Sequence, residues 1–393
     1  MNILFIISTY PNYGGTEKVT TFLANTFAKA KNEVHIASFE QPHPELLEEL
    51  HPNVQFHPLA MPYQSCHNIK YLKKLVRERK IGFIINQHCL PYYMTHLCNR
   101  IRKGTDCKLI SVLHGIPNKS KRTIIAEDEL AQARTALGKL YHRMKLKFYH
   151  NIIQWSIRYT YNHSDQYILL SELFKDVFCE YARIYDTSKL MAIPNSICIR
   201  TDYETDYLPG KKKQLLYVGR MDMENKRVNR IVEAWEEIYR EFPDWELVLV
   251  GDGPHKPILE GYVKEKKIER VVFQAFSREE PTKYYQDASI LLLTSDMEGF
   301  GMVITEGMSY GVVPIVYGSY PAIYDIINNT VSGFITHKPY SQKETVKYMK
   351  LLMNNPALRT KMAKEAIKDS KKFTMEDNVN LWSILFIKLQ NGE

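Results

Sequence analysis

Three absences narrow what this sequence can do. Its six cysteines, Cys66, Cys89, Cys98, Cys107, Cys179 and Cys198, contain no Cys-x-x-Cys pair. A zinc site is therefore not expected, and the thiols suit a reduced, cytosolic setting. No apolar run approaches the roughly 20 residues that a bilayer requires. The opening Met1–Ser8 stretch is apolar for too few residues to be a signal peptide, with no basic leader and no small-residue cleavage site. Charge of one sign is also scarce. Lys plus Arg at 52 against Asp plus Glu at 44 leaves +8 over 393 residues, too little to mark a nucleic-acid binder. The expectation is a cytoplasmic protein, peripheral at most on the inner face of the membrane.

What is present is ordinary for a core-forming chain, with 45% apolar and 24% charged residues and 18 each of Gly and Pro. The length suggests two domains. Short β-branched runs alternate with amphipathic stretches. Strands are expected at Ile3–Ser8, Glu33–Phe39, Val54–Leu59, Gly82–Gln87, Leu109–Leu113, Gln166–Leu170 and Leu190–Ile193. After the polar stretch Asp202–Lys213 a second series follows: Gln214–Val218, Glu246–Val250, Val271–Gln274, Ile290–Thr294, Val313–Val316 and Gly333–Thr336. Helical patterns lie between them, so each series predicts a parallel sheet covered on both faces. The fold class is α/β, with two doubly wound Rossmann-like domains at 1–205 and 206–374. A final helix at 375–393 is expected to pack back on the first domain. Such sheets bind ligands at the carboxyl ends of their strands, and facing domains would share one cleft.

Four motifs fall just after strands. Gly14 and Gly15, in Tyr10–Glu17, precede a helix where backbone amides can approach an anion, or they form a tight turn only. His114-Gly115 ends a strand, where an imidazole could meet a sugar hydroxyl, shield developing charge or serve structure alone. Gly219-Arg220 with Lys226 and Arg227 places cations near a strand end. That cluster could neutralise a diphosphate leaving group, or be a solvated basic loop. The most informative stretch runs from Ser295 to Glu306. Glu298 and Glu306 flank the Gly299-Phe300-Gly301-Met302 turn that opens a helix. The turn offers amides to phosphate, and a carboxylate accepts from two vicinal hydroxyls.

Together these motifs resemble the family 4 (group 1) retaining glycosyltransferases, which have the two-domain GT-B fold. The resemblance spans nearly the whole chain, including Ile193-Pro194-Asn195 and Gly251-Asp252-Gly253-Pro254. It implies that Arg220 and Lys226 grip the donor diphosphate, with Gly219 and the Gly299–Met302 turn beside it. Glu306 would accept the ribose hydroxyls and Glu298 those of the donor sugar. His114 would lie near the transferred sugar, and Gly15 near phosphate or acceptor. The implied donor is a nucleotide diphosphate sugar, UDP-linked by family frequency, acting as co-substrate with no separate cofactor. The acceptor would be a glycan or lipid-linked saccharide in cell-surface polysaccharide assembly. No Asp-x-Asp metal motif occurs, in keeping with a metal-independent site. Two departures stand out: Arg227 follows the lysine where glycine is usual, and the expected glycine-rich turn reads Gly318-Ser319-Tyr320-Pro321-Ala322.

Gly251-Asp252-Gly253-Pro254 alone would be a poor nicotinamide site, lacking a third glycine and a later acidic residue. The rival readings are a GT-B sugar-nucleotide epimerase and a non-catalytic nucleotide-sugar or glycan binder. Donor hydrolysis without acceptor separates enzyme from binder, and the C2 configuration of the sugar exposes an epimerase. One stretch stands apart. From Leu130 to His163 there is no acidic residue, while six Lys and Arg alternate with Tyr141, Phe148, Tyr149, Trp155, Tyr159 and Tyr161. This suits either an anionic membrane surface or a helix with one solvated basic face.

Overall fold

The computed structural model describes residues 1–199, 201, 208–277 and 282–392. The expected domain boundary at 205–206 lies outside the described residues. The chain divides into two compact units, one formed by Met1–Asn195 together with the chain from Asn378 onward, the other by Ser196–Asp377.

The first unit carries β1 (Asn2–Thr9), β2 (Glu33–Glu40), β3 (Val54–Pro58), β4 (Phe83–Asn86), β5 (Lys108–Val112), β6 (Gln166–Leu169) and β7 (Leu190–Ala192), ordered β3-β2-β1-β4-β5-β6-β7. All neighbours are parallel, with Phe5 opposite both Ile36 and Ile85. The run Ile3 to Ile7 is buried on both faces, as a sheet covered by helices on each side demands. On one side Leu4, Ile6 and Ile84 pack with Leu72, Leu97 and Ile101 from helices Cys66–Glu78 and Tyr92–Arg102. On the C-terminal helix Met375–Asn391, Phe386 packs tilted against Phe83 and edge-on to Phe27, with ring centroids 4.5 and 5.6 Å apart. Asn378 donates to the Pro194 carbonyl at 2.5 Å.

The second unit carries β8 (Gln214–Val218), β9 (Glu246–Val250), β10 (Val271–Gln274), β11 (Ile290–Leu293), β12 (Val313–Tyr317) and β13 (Phe334–Thr336), ordered β10-β9-β8-β11-β12-β13 and again wholly parallel. All thirteen expected strands form, within a residue or two of their expected ends. In each sheet the strand order reverses once, between β1 and β4 and between β8 and β11. At such a switch point neighbouring connections leave to opposite faces and open a crevice beyond the strand ends. Each switch point is therefore the place in its unit to look for a site.

Candidate functional site

At the second unit's switch point, β8 runs into Gly219 at φ +151° and β9 into Gly251 at φ +134°. The two strand ends approach so closely that a Cβ on Gly251 would overlap the Gly219 carbonyl oxygen. One on Gly253 would lie 2.5 Å from the Met221 oxygen. Met221 N donates to Asp252 O at 2.8 Å, so these glycines serve backbone packing, as expected where two chains must touch. The packing fixes the direction of Arg220. Its carbonyl accepts from the Tyr217 hydroxyl at 2.7 Å, while its guanidinium is largely exposed, 3.5 Å from Asp222. Burial pushes the Asp222 carboxyl up, but the amides of Asn225 and Glu224 and the Arg220 charge outweigh it and hold the group below its usual range.

Lys226 and Glu298, given separate roles by the sequence, meet. Lys226 Nζ lies 2.6 Å from Glu298 Oε1, with side chains 27% and 11% exposed. The adjacent Arg227 adopts the left-handed conformation, φ +51°, which costs a residue with a Cβ roughly 1–2 kcal/mol. This is why glycine would sit easily there. In this chain Asp296 offsets the strain, taking Arg227 Nε at 2.5 Å on one oxygen and Arg230 Nη1 at 2.7 Å on the other. Arg230 also lies over the Tyr340 ring, 4.3 Å from its centroid. Asp296 N donates to Asn225 O at 2.8 Å, Asn225 Nδ2 to Met297 O at 3.2 Å, and Thr294 Oγ1 to Arg227 O at 3.0 Å. The turns after β8 and β11 are thus laced together. Sequence reasoning assigns Asp296 no role; its only local signal is an acid two positions before Glu298, since the two arginines it holds lie 69 and 66 positions earlier.

The Gly299–Met302 turn leads into helix Met302–Ser309, with Gly301 at φ +86°. A side chain there would strike Ile304 and the Tyr320 hydroxyl, which a Cβ would approach to 2.6 Å. Phe300 turns inward, 3% exposed and edge-on to Phe373 at 5.4 Å, so only its backbone can face a ligand. Glu306 sits one turn into the helix, 4% exposed, and accepts from the Tyr285 hydroxyl at 3.0 Å. Burial and the Glu306 charge push the Tyr285 phenol well above its ordinary range, so it remains a donor and orients the carboxylate. In the Gly318–Ala322 turn, Ser319 Oγ donates to Ser295 O at 2.6 Å. The Tyr320 hydroxyl is buried without a hydrogen-bond partner among the described residues.

The first unit's switch point holds Gly14, Gly15 and His114. Helix Gly15–Lys29 begins after an extended Gly14, and the Glu17 carboxylate folds back over that glycine so closely that a Cβ there would overlap it. Burial raises the Glu17 carboxyl above its ordinary range. The helix N-terminus expected to meet an anion therefore faces one of the chain's own acids, while Gly15 itself is exposed. His114 Nε2 lies 2.6 Å from Gln87 Oε1. Burial first, and His88 nearby second, lower its imidazole to about 4, so it is neutral at physiological pH.

Most of the basic stretch forms helix Ala136–His163, while Leu130–Gln132 end the preceding helix and Arg134 lies between the two. Leu137, Leu140, Tyr141, Met144, Phe148, Ile152 and Trp155 are all exposed, Leu137 by 81%. At steps of three and four they form one stripe. Lys145 is bonded at 2.6 Å to Glu129 of the neighbouring helix Lys121–Gln132, so its charge is matched from outside the stretch. No helix among the described residues is long and apolar enough to cross a membrane.

Comparison with known proteins falls on both units. The family model for Glycosyltransferase Family 4 matches residues 13–200 and that for Glycosyl transferases group 1 matches residues 201–369. The N-acetyl-alpha-D-glucosaminyl L-malate synthase of Bacillus anthracis is 24% identical over 352 residues, 85% of this chain and 84% of that one. The alpha-monoglucosyldiacylglycerol synthase of Acholeplasma laidlawii is 23% identical over 231 residues, 55% of this chain; the matched part spans little more than half, 56%, of that protein. Among solved structures, Anabaena Alr3699/HepE in complex with UDP and glucose superposes with a TM-score of 0.74 at 16% identity, covering 98% of this chain and 99% of that one. With two parallel Rossmann-like sheets and a family match over each, the chain belongs to the group 1 glycosyltransferases of family 4, built on the GT-B fold.

Proposed function

We propose that this glycosyltransferase is a retaining, metal-independent hexosyltransferase. It would take its sugar from a UDP-linked donor and deliver it to a glycan or lipid-linked saccharide of the cell surface. The observation that carries the reading is the Lys226–Glu298 pair at the β8/β11 switch point, beside the Gly299–Met302 turn. An ammonium already seated at a strand-end crevice can be handed to an incoming diphosphate, and the carboxylate it leaves becomes an acceptor for sugar hydroxyls. Arg220, exposed just after β8, adds the second cation, and the helix N-terminus contributes amides. In the front-face reaction the C1–O bond to phosphate breaks as the acceptor oxygen bonds C1 on the same side. The acceptor hydroxyl proton passes to the leaving phosphate, so no protein nucleophile takes part. The donor is the co-substrate and no further cofactor is needed.

Glu306 supplies the test of the donor. Glu306→Gln keeps an acceptor for Tyr285 but withdraws the charge, so the fold should persist. UDP binding should weaken by roughly 1–3 kcal/mol. Unchanged affinity in calorimetry would remove Glu306 from the ribose-binding role.

The second part of the reading is a working place on an anionic membrane, at the cytoplasmic face. Support comes from the exposed stripe of helix Ala136–His163, with Lys139, Arg143 and Lys147 beside it. The Acholeplasma relative is named for a lipid product. Each cation near such a surface contributes about 1 kcal/mol, fading with salt as the Debye length shrinks. Replacing these three by Gln should abolish co-sedimentation with anionic liposomes at low salt, while Phe148→Ser should weaken the salt-resistant remainder. A wild-type protein that ignores such liposomes at low salt ends the membrane reading.

A further inference from the structure

In the sequence Gln87 is simply the last residue of the expected strand Gly82–Gln87. In the structure it follows β4 at the first unit's switch point and is 4% exposed. Its backbone amide donates to Ile6 O at 2.9 Å, which ties its position to β1. Its side-chain oxygen lies 2.6 Å from His114 Nε2. An amide oxygen only accepts, so in this arrangement the imidazole proton resides on Nε2. That leaves Nδ1 with a bare lone pair. His114 Nδ1 and Gln87 Nε2 are both buried and both without a hydrogen-bond partner among the described residues. Buried polar atoms are seldom left so. Here one unused acceptor and one unused donor belong to a single bonded pair, at a strand end where ligands bind.

We propose that Gln87 is a positioning residue for transfer: its side-chain oxygen locks His114 in the Nε2–H tautomer, so that Nδ1 accepts a hydroxyl of the sugar being transferred. The second half rests on the reading of His114 as the residue beside that sugar. An imidazole with its proton on Nδ1 would instead present a donor in the same direction. A site that needs an acceptor would then hold the sugar with the wrong polarity. The opposite orientation of the Gln87 amide makes that opposite claim, so the two are separable by measurement.

The decisive readout is the tautomer itself. With 15N-labelled histidine in the full chain, and His114→Asn to assign the resonance, His114 should show protonated Nε2 and bare Nδ1 at pH 8. Gln87→Met, close in shape but with only the weak acceptor of a thioether, should give a mixture of tautomers and turnover about tenfold lower at saturating UDP-sugar. Gln87→Glu restores an acceptor and should restore the single tautomer at that pH, a rescue that packing alone does not predict. Protonated Nδ1 in the wild type, or a tautomer unmoved by Gln87→Met, overturns the role of Gln87. A tautomer that shifts while turnover stays at the wild-type value keeps the lock but removes His114 from the sugar.

Discussion

Lys226→Ala is expected to lower turnover at saturating donor by a hundredfold or more. The loss has two sources. One is the leaving diphosphate, which gives up a cation placed where charge develops, an effect worth several kcal/mol in a water-poor site. The other is Glu298, whose side chain is only 11% exposed and whose oxygen the ammonium holds at 2.6 Å. With the lysine gone, that carboxylate stands unpaired and repels the donor's phosphates. The two sources are separable. Adding Glu298→Gln to Lys226→Ala should recover part of the affinity for UDP, which carries no sugar, because the repulsion is gone. It should recover no turnover, because the cation is still missing. Turnover within a few-fold of wild type in the single variant would mean that Lys226 does not face the diphosphate.

Gly251→Ala should be the most damaging small substitution in the second unit. The new methyl would overlap the Gly219 carbonyl oxygen and lie 3.0 Å from its carbon, at a backbone φ of +134° that side chains rarely tolerate. Neither atom belongs to a flexible side chain, so β8 or β9 must move. Overpacking and backbone strain together are expected to cost about 3–5 kcal/mol. The thermal midpoint of the second unit should fall by many degrees. UDP binding should be lost even below that midpoint, since Gly219 leads directly into Arg220. A variant with wild-type melting and UDP affinity would refute the packing role. Gly261→Ala is the control, because a Cβ there meets nothing within 4 Å.

The strands were legible because their information is local. Runs such as Leu215–Val218 and Ile290–Leu293 are apolar throughout, as strands buried on both faces must be, and each is followed by glycine or polar residues. The candidate positions stand out for a related reason: a parallel sheet puts its ligands after strands, so motifs there are the first to consider. What stayed hidden depends on separation along the chain. Nothing local says that Lys226 and Glu298, 72 positions apart, will touch, or that Gln87 will grip His114. Arg227 reads as one more cation and as a departure from a glycine, because the left-handed backbone that favours glycine emerges with the turn and the acid that compensates lies in the turn after β11. At Phe300 the sequence offers the backbone amide to a ligand and says nothing of the ring, which fills the core and leaves the flanking glycines to shape the turn. The basic stretch showed its own charges but concealed Glu129, which belongs to the preceding helix.

The lacing of the two turns around Asp296 bears on the energetics of ligand capture. Loops that carry binding groups often must give up conformational freedom when a ligand arrives, at roughly 1–2 kcal/mol per residue ordered. Here Asn225, Arg227 and Arg230 already hold the 294–298 segment in place through six hydrogen bonds among the described residues. On the proposed reading, capture of a donor by this unit would need a side-chain exchange, Lys226 leaving Glu298, and no reordering of the main chain. Affinity saved in this way is entropic in origin. It would be forfeited by Asp296→Asn without any loss of a direct ligand contact.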